Sequence, residues 1–134
     1  MTSTRIGIGS ALLAFALPFT AAGVATAQPD TAQVETSLVL TVVSPDGSAK
    51  STVLECYPSV GGSHPHAASA CQELGAVGGA FDSLSADPQS ACPAVYDPVS
   101  ASAIGVWCGR PVSWERTFGN SCVLRTTTGS VFAF

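Results

Sequence analysis

Five cysteines, Cys56, Cys71, Cys92, Cys108 and Cys122, are spread through a chain that opens with an export leader. The leader has one cation, Arg5, an apolar run from Ile6 to Val24, and the small-residue site Ala25-Thr26-Ala27, the pattern of a secretory signal cut after Ala27. Removing 27 of the 134 residues leaves 107, enough for one small domain. A core that small buries too little surface to stand comfortably alone, and an exported chain meets an oxidising compartment. The cysteines are therefore expected to form structural bridges. Five is an odd number, so at most two bridges form and one thiol is left over. Fifteen two-bridge frameworks are possible, and spacing selects none of them.

The organisation expected is a signal peptide over 1–27, a polar, fraying N-terminal arm over 28–36 containing Pro29, and a domain over 37–134. The full chain carries a net charge of −4, and loss of Arg5 with the leader takes the remainder to −5. A domain this acidic offers no basic patch to a phosphate backbone, so nucleic acid is not a leading partner. No later apolar run approaches the roughly 18–20 residues that span a bilayer. The product is expected to be secreted, extracellular and, once the signal is removed, free of the membrane.

Ser37 to Val43 is rich in β-branched residues and reads as a strand. Ser44-Pro45-Asp46-Gly47 has the composition of a turn, and Ser51 to Cys56 can return as the partner strand. Ala67, Ala70, Cys71, Leu74 and Val77 fall on one face of a helix that begins near Pro65 and stops at Gly78-Gly79. Phe81 to Gln89 reads as irregular chain, and Ala91 to Pro98 as a loop. Ile104 to Cys108 and Val112 to Phe118 read as strands around Gly109-Arg110, a Gly-first pair with type II′ hairpin chemistry. Ser130 to Phe134 reads as a short closing strand. About five strands with short links and one good helix make an antiparallel α+β domain.

Catalytic chemistry is weakly supported. The two histidines, His64 and His66, share one loop and read as solvated side chains. No nucleophile-elbow Gly-x-Ser-x-Gly, zinc-type Cys or His spacing, or phosphate-binding glycine loop occurs. The chain is expected not to be an enzyme, with no metal and no cofactor. Trp107 and Trp114 in the second hairpin could form an aromatic platform for a sugar or peptide, but core packing is the better reading for Trp107. The unusual segment is Ala91-Cys92-Pro93-Ala94-Val95-Tyr96-Asp97-Pro98. Pro93 fixes its own φ and pushes Cys92 toward extended geometry, and Val95 favours extended backbone too. If Cys92 is bridged, the result is a stiff extended peptide shaped like a protease substrate. An ordinary proline-rich connection explains these residues equally well.

Several motifs together decide between those readings: Ser63-His64-Pro65, Ala76-Val77-Gly78-Gly79, Cys92-Pro93-x-Val95-Tyr96-Asp97-Pro98-Val99, Gly105-Val106-Trp107, and the ending Ser130-Val131-Phe132-Ala133-Phe134. With them the chain resembles the bacterial subtilisin inhibitors of the Streptomyces type, from about Leu38 to Phe134. The resemblance implies a tight, reversible, substrate-like inhibitor of subtilisin-type serine proteases. The reactive bond would be Ala94–Val95, with Ala91, Cys92, Pro93, Tyr96 and Asp97 as the rest of the protease-contacting loop. It also implies bridges Cys56–Cys71 and Cys92–Cys122, and a five-stranded antiparallel sheet with two helices, the second near Cys122. A homodimer joined through the sheet is implied as well. Two departures stand out. Ala94 occupies a position where the family often has Met or Lys, and Cys108 lies outside the bridge pattern, which makes it the expected unpaired thiol, free or linking two copies. The runner-up readings are a secreted binding module without inhibitory activity and a regulator of another extracellular protease, such as a metalloprotease.

Overall fold

The computed structural model describes residues 23–25 and 34–134. The signal-peptide expectation, apart from 23–25, and most of the expected N-terminal arm lie outside the described residues.

Alternation builds the sheet. In β1 (Thr36–Val43), Thr36, Leu38 and Leu40 are buried while Val39 faces outward, the period of two that a one-faced sheet requires. β1 pairs antiparallel with β2 (Ala49–Tyr57), setting Leu38 against Leu54 on the inner face and Val39 against Val53 on the outer. The reversal between them runs through Pro45-Asp46-Gly47. There Gly47 N–H donates to the Ser44 carbonyl at 2.9 Å. The Ser48 hydroxyl and N–H both donate to Asp46 Oδ1 and hold its carboxyl below the ordinary value. On the other side β1 pairs with β4 (Val99–Trp107), which pairs in turn with β5 (Arg110–Phe118). A two-residue edge piece, β3 (Gly61–Gly62), completes the antiparallel order β3-β2-β1-β4-β5.

Both helices lie on the inner face. α1 (Ala67–Ala76) buries Ala70 and Leu74, with Ala67, Cys71 and Val77 half-buried beside them. These are the five positions that the 3.6-residue spacing picked out. α2 (Ser121–Thr128) buries Leu124 and Thr128. The core joins Leu38, Leu40, Leu54, Ala101 and Ala103 of the sheet to Leu74, Leu124, Val131 and Phe132. Cys56–Cys71 ties β2 to α1 across 15 residues and Cys92–Cys122 ties the 84–98 loop to α2 across 30. In the chain-entropy picture these closures stabilise by about 3 and 3.6 kcal/mol. Among the described residues no helix is long and apolar enough to cross a membrane.

Four local readings are corrected. The last residues do not form a strand. Gly129–Phe132 is a 3-10 turn that drops Val131 and Phe132 into the core directly from the end of α2. A short 3-10 turn also occupies Phe81–Ser83, where irregular chain was expected, because Phe81 is buried. The second hairpin turns at Cys108-Gly109, with φ of 48° and 76°, rather than at Gly109-Arg110. Positive φ at both central residues is the type I′ pattern. Cys108 is therefore an exposed turn residue and not the last residue of a strand. Its N–H is held by Thr36 Oγ1 at 2.9 Å. Finally, His64 is not solvated: it is 6 % exposed, its Nδ1 accepts from His66 N–H, and its Nε2 bonds the Val131 carbonyl at 3.0 Å. His66 is exposed.

Candidate functional site

Between Leu84 and Val99 the chain runs without helix or strand, and from Pro93 to Asp97 every residue is exposed. Val95 is 59 % and Tyr96 82 % exposed. Two apolar side chains left in water on a segment this short are not supported by packing of their own, so something else must hold the backbone.

That support is α2. Its N-cap is Asn120, whose Oδ1 accepts from Val123 N–H at 3.0 Å, the usual way a short polar side chain satisfies a free helix donor. The same side chain works outward. Asn120 Nδ2 donates to the Pro93 carbonyl at 3.1 Å and to the Val95 carbonyl at 2.8 Å. Asn120 is 9 % exposed, so these bonds are sheltered from competing water. They bracket Ala94 on both sides. Among the described residues the Ala94 N–H and carbonyl take no protein hydrogen bond, which leaves that carbonyl open to an outside donor. Two residues into α2, Cys122 carries the bridge to Cys92, with Cα atoms 5.7 Å apart. Downstream, Asp97 N–H donates to the Gly119 carbonyl at 2.8 Å, and upstream the N–H groups of Ala86 and Asp87 donate to the carbonyls of Thr127 and Thr126.

The arrangement is an extended peptide pinned at both ends and in the middle to one two-turn helix. Pro93 adds a fixed φ next to the bridge. Of the residues singled out in the sequence, the structure gathers Ala91, Cys92, Pro93, Ala94, Val95, Tyr96 and Asp97 on this one loop, with Cys122 beneath it. His64, His66 and Cys108 are elsewhere. Trp114 does not form a platform: it stacks on Phe81 at 5.0 Å, and its Nε1 donates to Asp82. Among the described residues no group of three metal-ligating side chains is present. Sequence reasoning missed Asn120, although a signal existed. It is the only Asn in the chain, and it stands just before the short helix expected near Cys122, where an N-cap belongs.

Chemically, the loop holds one extended stretch of backbone in solvent, with the carbonyls of Pro93 and Val95 fixed and that of Ala94 free. A family model described as subtilisin inhibitor-like matches residues 34–120. Subtilisin inhibitor-like protein 5 of Streptomyces fradiae is 47 % identical over 103 residues, which cover 73 % of this chain and 96 % of that one. The subtilisin inhibitor of Streptomyces albogriseolus is 43 % identical over 111 residues, covering 79 % and 77 % respectively. Among solved structures, Streptomyces caespitosus sermetstatin in complex with Bacillus licheniformis subtilisin superposes with a TM-score of 0.65 at 35 % identity. That match covers 75 % of this chain and 99 % of the other.

Proposed function

We propose that this chain, which belongs to the subtilisin inhibitor-like family, is a secreted, substrate-like inhibitor that presents the Ala94–Val95 bond to subtilisin-type serine proteases. The family is one of inhibitors, and the chain acts as a ligand of an enzyme rather than as an enzyme. The observation that carries the assignment of the bond is the Asn120 bracket, which clamps the carbonyls of Pro93 and Val95 and leaves the Ala94 carbonyl between them free.

The mechanism rests on which groups are held and which are free. The protease serine attacks the Ala94 carbonyl carbon, and the carbonyl oxygen enters the oxyanion hole. In an ordinary substrate the new amine diffuses away and hydrolysis goes forward. Here the Val95 amine stays beside the acyl group. Asn120 holds the Val95 carbonyl, Gly119 holds the Asp97 N–H, and the Cys92–Cys122 bridge holds the acyl side. Religation therefore competes with hydrolysis. The same pre-organisation removes most of the ordering cost of binding, which is what makes a standard-sized interface tight. Residues 89–92 can add a strand to the enzyme's cleft through their backbone. Ala91, Tyr96 and Asp97 complete the contact surface. The methyl group of Ala94 suits a shallow primary pocket and offers no cation to the buried carboxylate of a trypsin-like one.

Family membership also favours a homodimer joined through the sheet. The outer face suits it: Val53, Val39 and Ile104 lie in register across three strands, and Val39 and Ile104 are 48 % and 62 % exposed. The test of the inhibitory reading is titration of subtilisin with the purified protein. Activity should fall linearly to zero at one binding loop per enzyme. Undiminished activity at micromolar protein would sink the reading and favour a binding module without inhibitory activity.

A further inference from the structure

The far end of α2 is held by a side chain from the other helix. Glu73, half-buried on α1, sends its carboxylate to the start of the C-terminal 3-10 turn. Ser130 N–H donates to Oε2 at 2.8 Å and the Ser130 hydroxyl donates to Oε1 at 3.0 Å. Room for that carboxylate exists because residue 129 is glycine. Gly129 leaves α2 with φ of 56°, and a Cβ there would collide with Glu73 Oε2 and lie 2.8 Å from the Ala86 Cβ. Ala86 belongs to the upstream root of the exposed loop. Its N–H donates to the Thr127 carbonyl at 3.1 Å, and Asp87 N–H donates to the Thr126 carbonyl at 2.8 Å. The Glu73 carboxylate, the exit from α2 and the root of the loop thus meet at one point. Beside them is a cleft of about 230 Å³ between α1 and the chain at Ser83–Ala86. Ala86 and Asp87 are exposed, so hydrogen bonds rather than packed side chains hold the root in place.

We propose that Glu73 is a positioning residue for inhibition. By fixing Ser130 it fixes the last turn of α2, and with it the root that keeps the extended chain before Ala94 in line with the protease cleft. This role rests on the inhibitory reading above. An eight-residue helix is too short to keep its geometry unaided. Asn120 locks its first turn, Glu73 locks the 3-10 turn at its far end, and the loop is hung between the two. A carboxylate acceptor makes the bond from Ser130 N–H one of the stronger ties in the region.

Two variants test it. Glu73→Gln keeps the shape but gives Ser130 N–H a neutral amide oxygen in place of the carboxylate and makes the Ser130 hydroxyl reverse to accept from the amide, whereas Ser130→Ala removes the hydroxyl bond alone. Leu54→Val, a core change on β2, serves as a control for lost stability. In the free proteins, amide exchange at Ala86 and Asp87 should rise about tenfold in Glu73→Gln relative to the β1 amides. The affinity for subtilisin should fall, and the rate of cutting at Ala94–Val95 should rise, by a similar factor. Ser130→Ala should move all three the same way by less, and it carries the test if Glu73→Gln does not fold. If the Glu73 and Ser130 variants lower the melting temperature as Leu54→Val does, but keep the parent's exchange, affinity and cutting rate, the role is structural only and the proposal is overturned. Absence of inhibition by the unaltered protein would overturn the inhibitory reading together with this role. Equal inhibition by every variant would overturn this role alone.

Discussion

On the inhibitory reading proposed above, Ala94 is the residue on which target choice turns. Its side chain is exposed and packs against nothing in the interior, so its replacement changes recognition without changing the fold. The natural protein should inhibit trypsin poorly, and Ala94→Lys should bring strong trypsin inhibition, with an unaltered circular dichroism spectrum and melting temperature. Ala94→Pro should abolish inhibition by displacing the carbonyl, again with the fold intact. Asn120 makes a contrasting prediction, because it serves the helix and the loop at once. Asn120→Ala should cost about 1 kcal/mol in stability as a lost N-cap. It should weaken subtilisin binding by at least about tenfold, since two carbonyls beside the reactive bond lose their donor. Equal losses of stability and no loss of affinity would show that the bracket is not what holds the loop. The sequence made the stiffening residues readable, since Pro93 acts through its own ring. Asn120 acts through residues 25 and 27 positions away, and a single sequence does not show a contact at that distance.

At the scale of elements, α2 and the Cys92–Cys122 bridge form one support. Replacing both cysteines by serine should cost about 3.6 kcal/mol at most in the chain-entropy picture. The functional effect should be larger than that loss suggests. With the acyl side released, the acyl group and the Val95 amine are no longer held side by side, and the variant should be cut steadily by subtilisin instead of holding it, as a time course of regained protease activity would show. Loss of the Cys56–Cys71 bridge, which lies away from the loop, should lower stability and leave the loop uncut well below the melting temperature. β1 and α1 were legible because each carries a clean period over eight or more residues. The C-terminal segment was not. Ser130 to Phe134 is a short apolar run of strand length, but Gly129 turns the chain in the left-handed region and Glu73 caps the 3-10 turn beyond it. Both the reversal and its cap depend on tertiary neighbours. The hairpin turn was misplaced by one residue for a related reason: Cys108 takes positive φ, which is uncommon without glycine, and Thr36 holds its N–H there.

For the whole molecule, the sheet has one face on the helices and the other left open. The inner face buries Leu38, Leu40 and Leu54 and supports the helix that carries the loop. The outer row Val53–Val39–Ile104 is the surface we assign to a second copy. Val39→Glu together with Ile104→Glu should give a monomer by sedimentation while each loop still inhibits one protease. A dimer that persists would place the contact elsewhere. Cys108 sits in the exposed turn, and peptide mapping without reductant should find it bonded to none of the other four cysteines. The layered α+β class was readable from alternation, one amphipathic helix and short links. The second helix was not, because its eight residues include three threonines and little apolar periodicity, and it came into view only through the resemblance. The central claim, that the molecule exists to hold the Ala94–Val95 bond in a protease without surrendering it, is tested most directly by mass spectrometry. The protein is incubated for a long period, at mildly acidic pH, with a catalytic amount of subtilisin. The account predicts slow approach to a mixture of intact chain and chain nicked once, between Ala94 and Val95, with inhibitory activity retained by both. A dominant cut at any other bond, or rapid degradation to fragments, would contradict it.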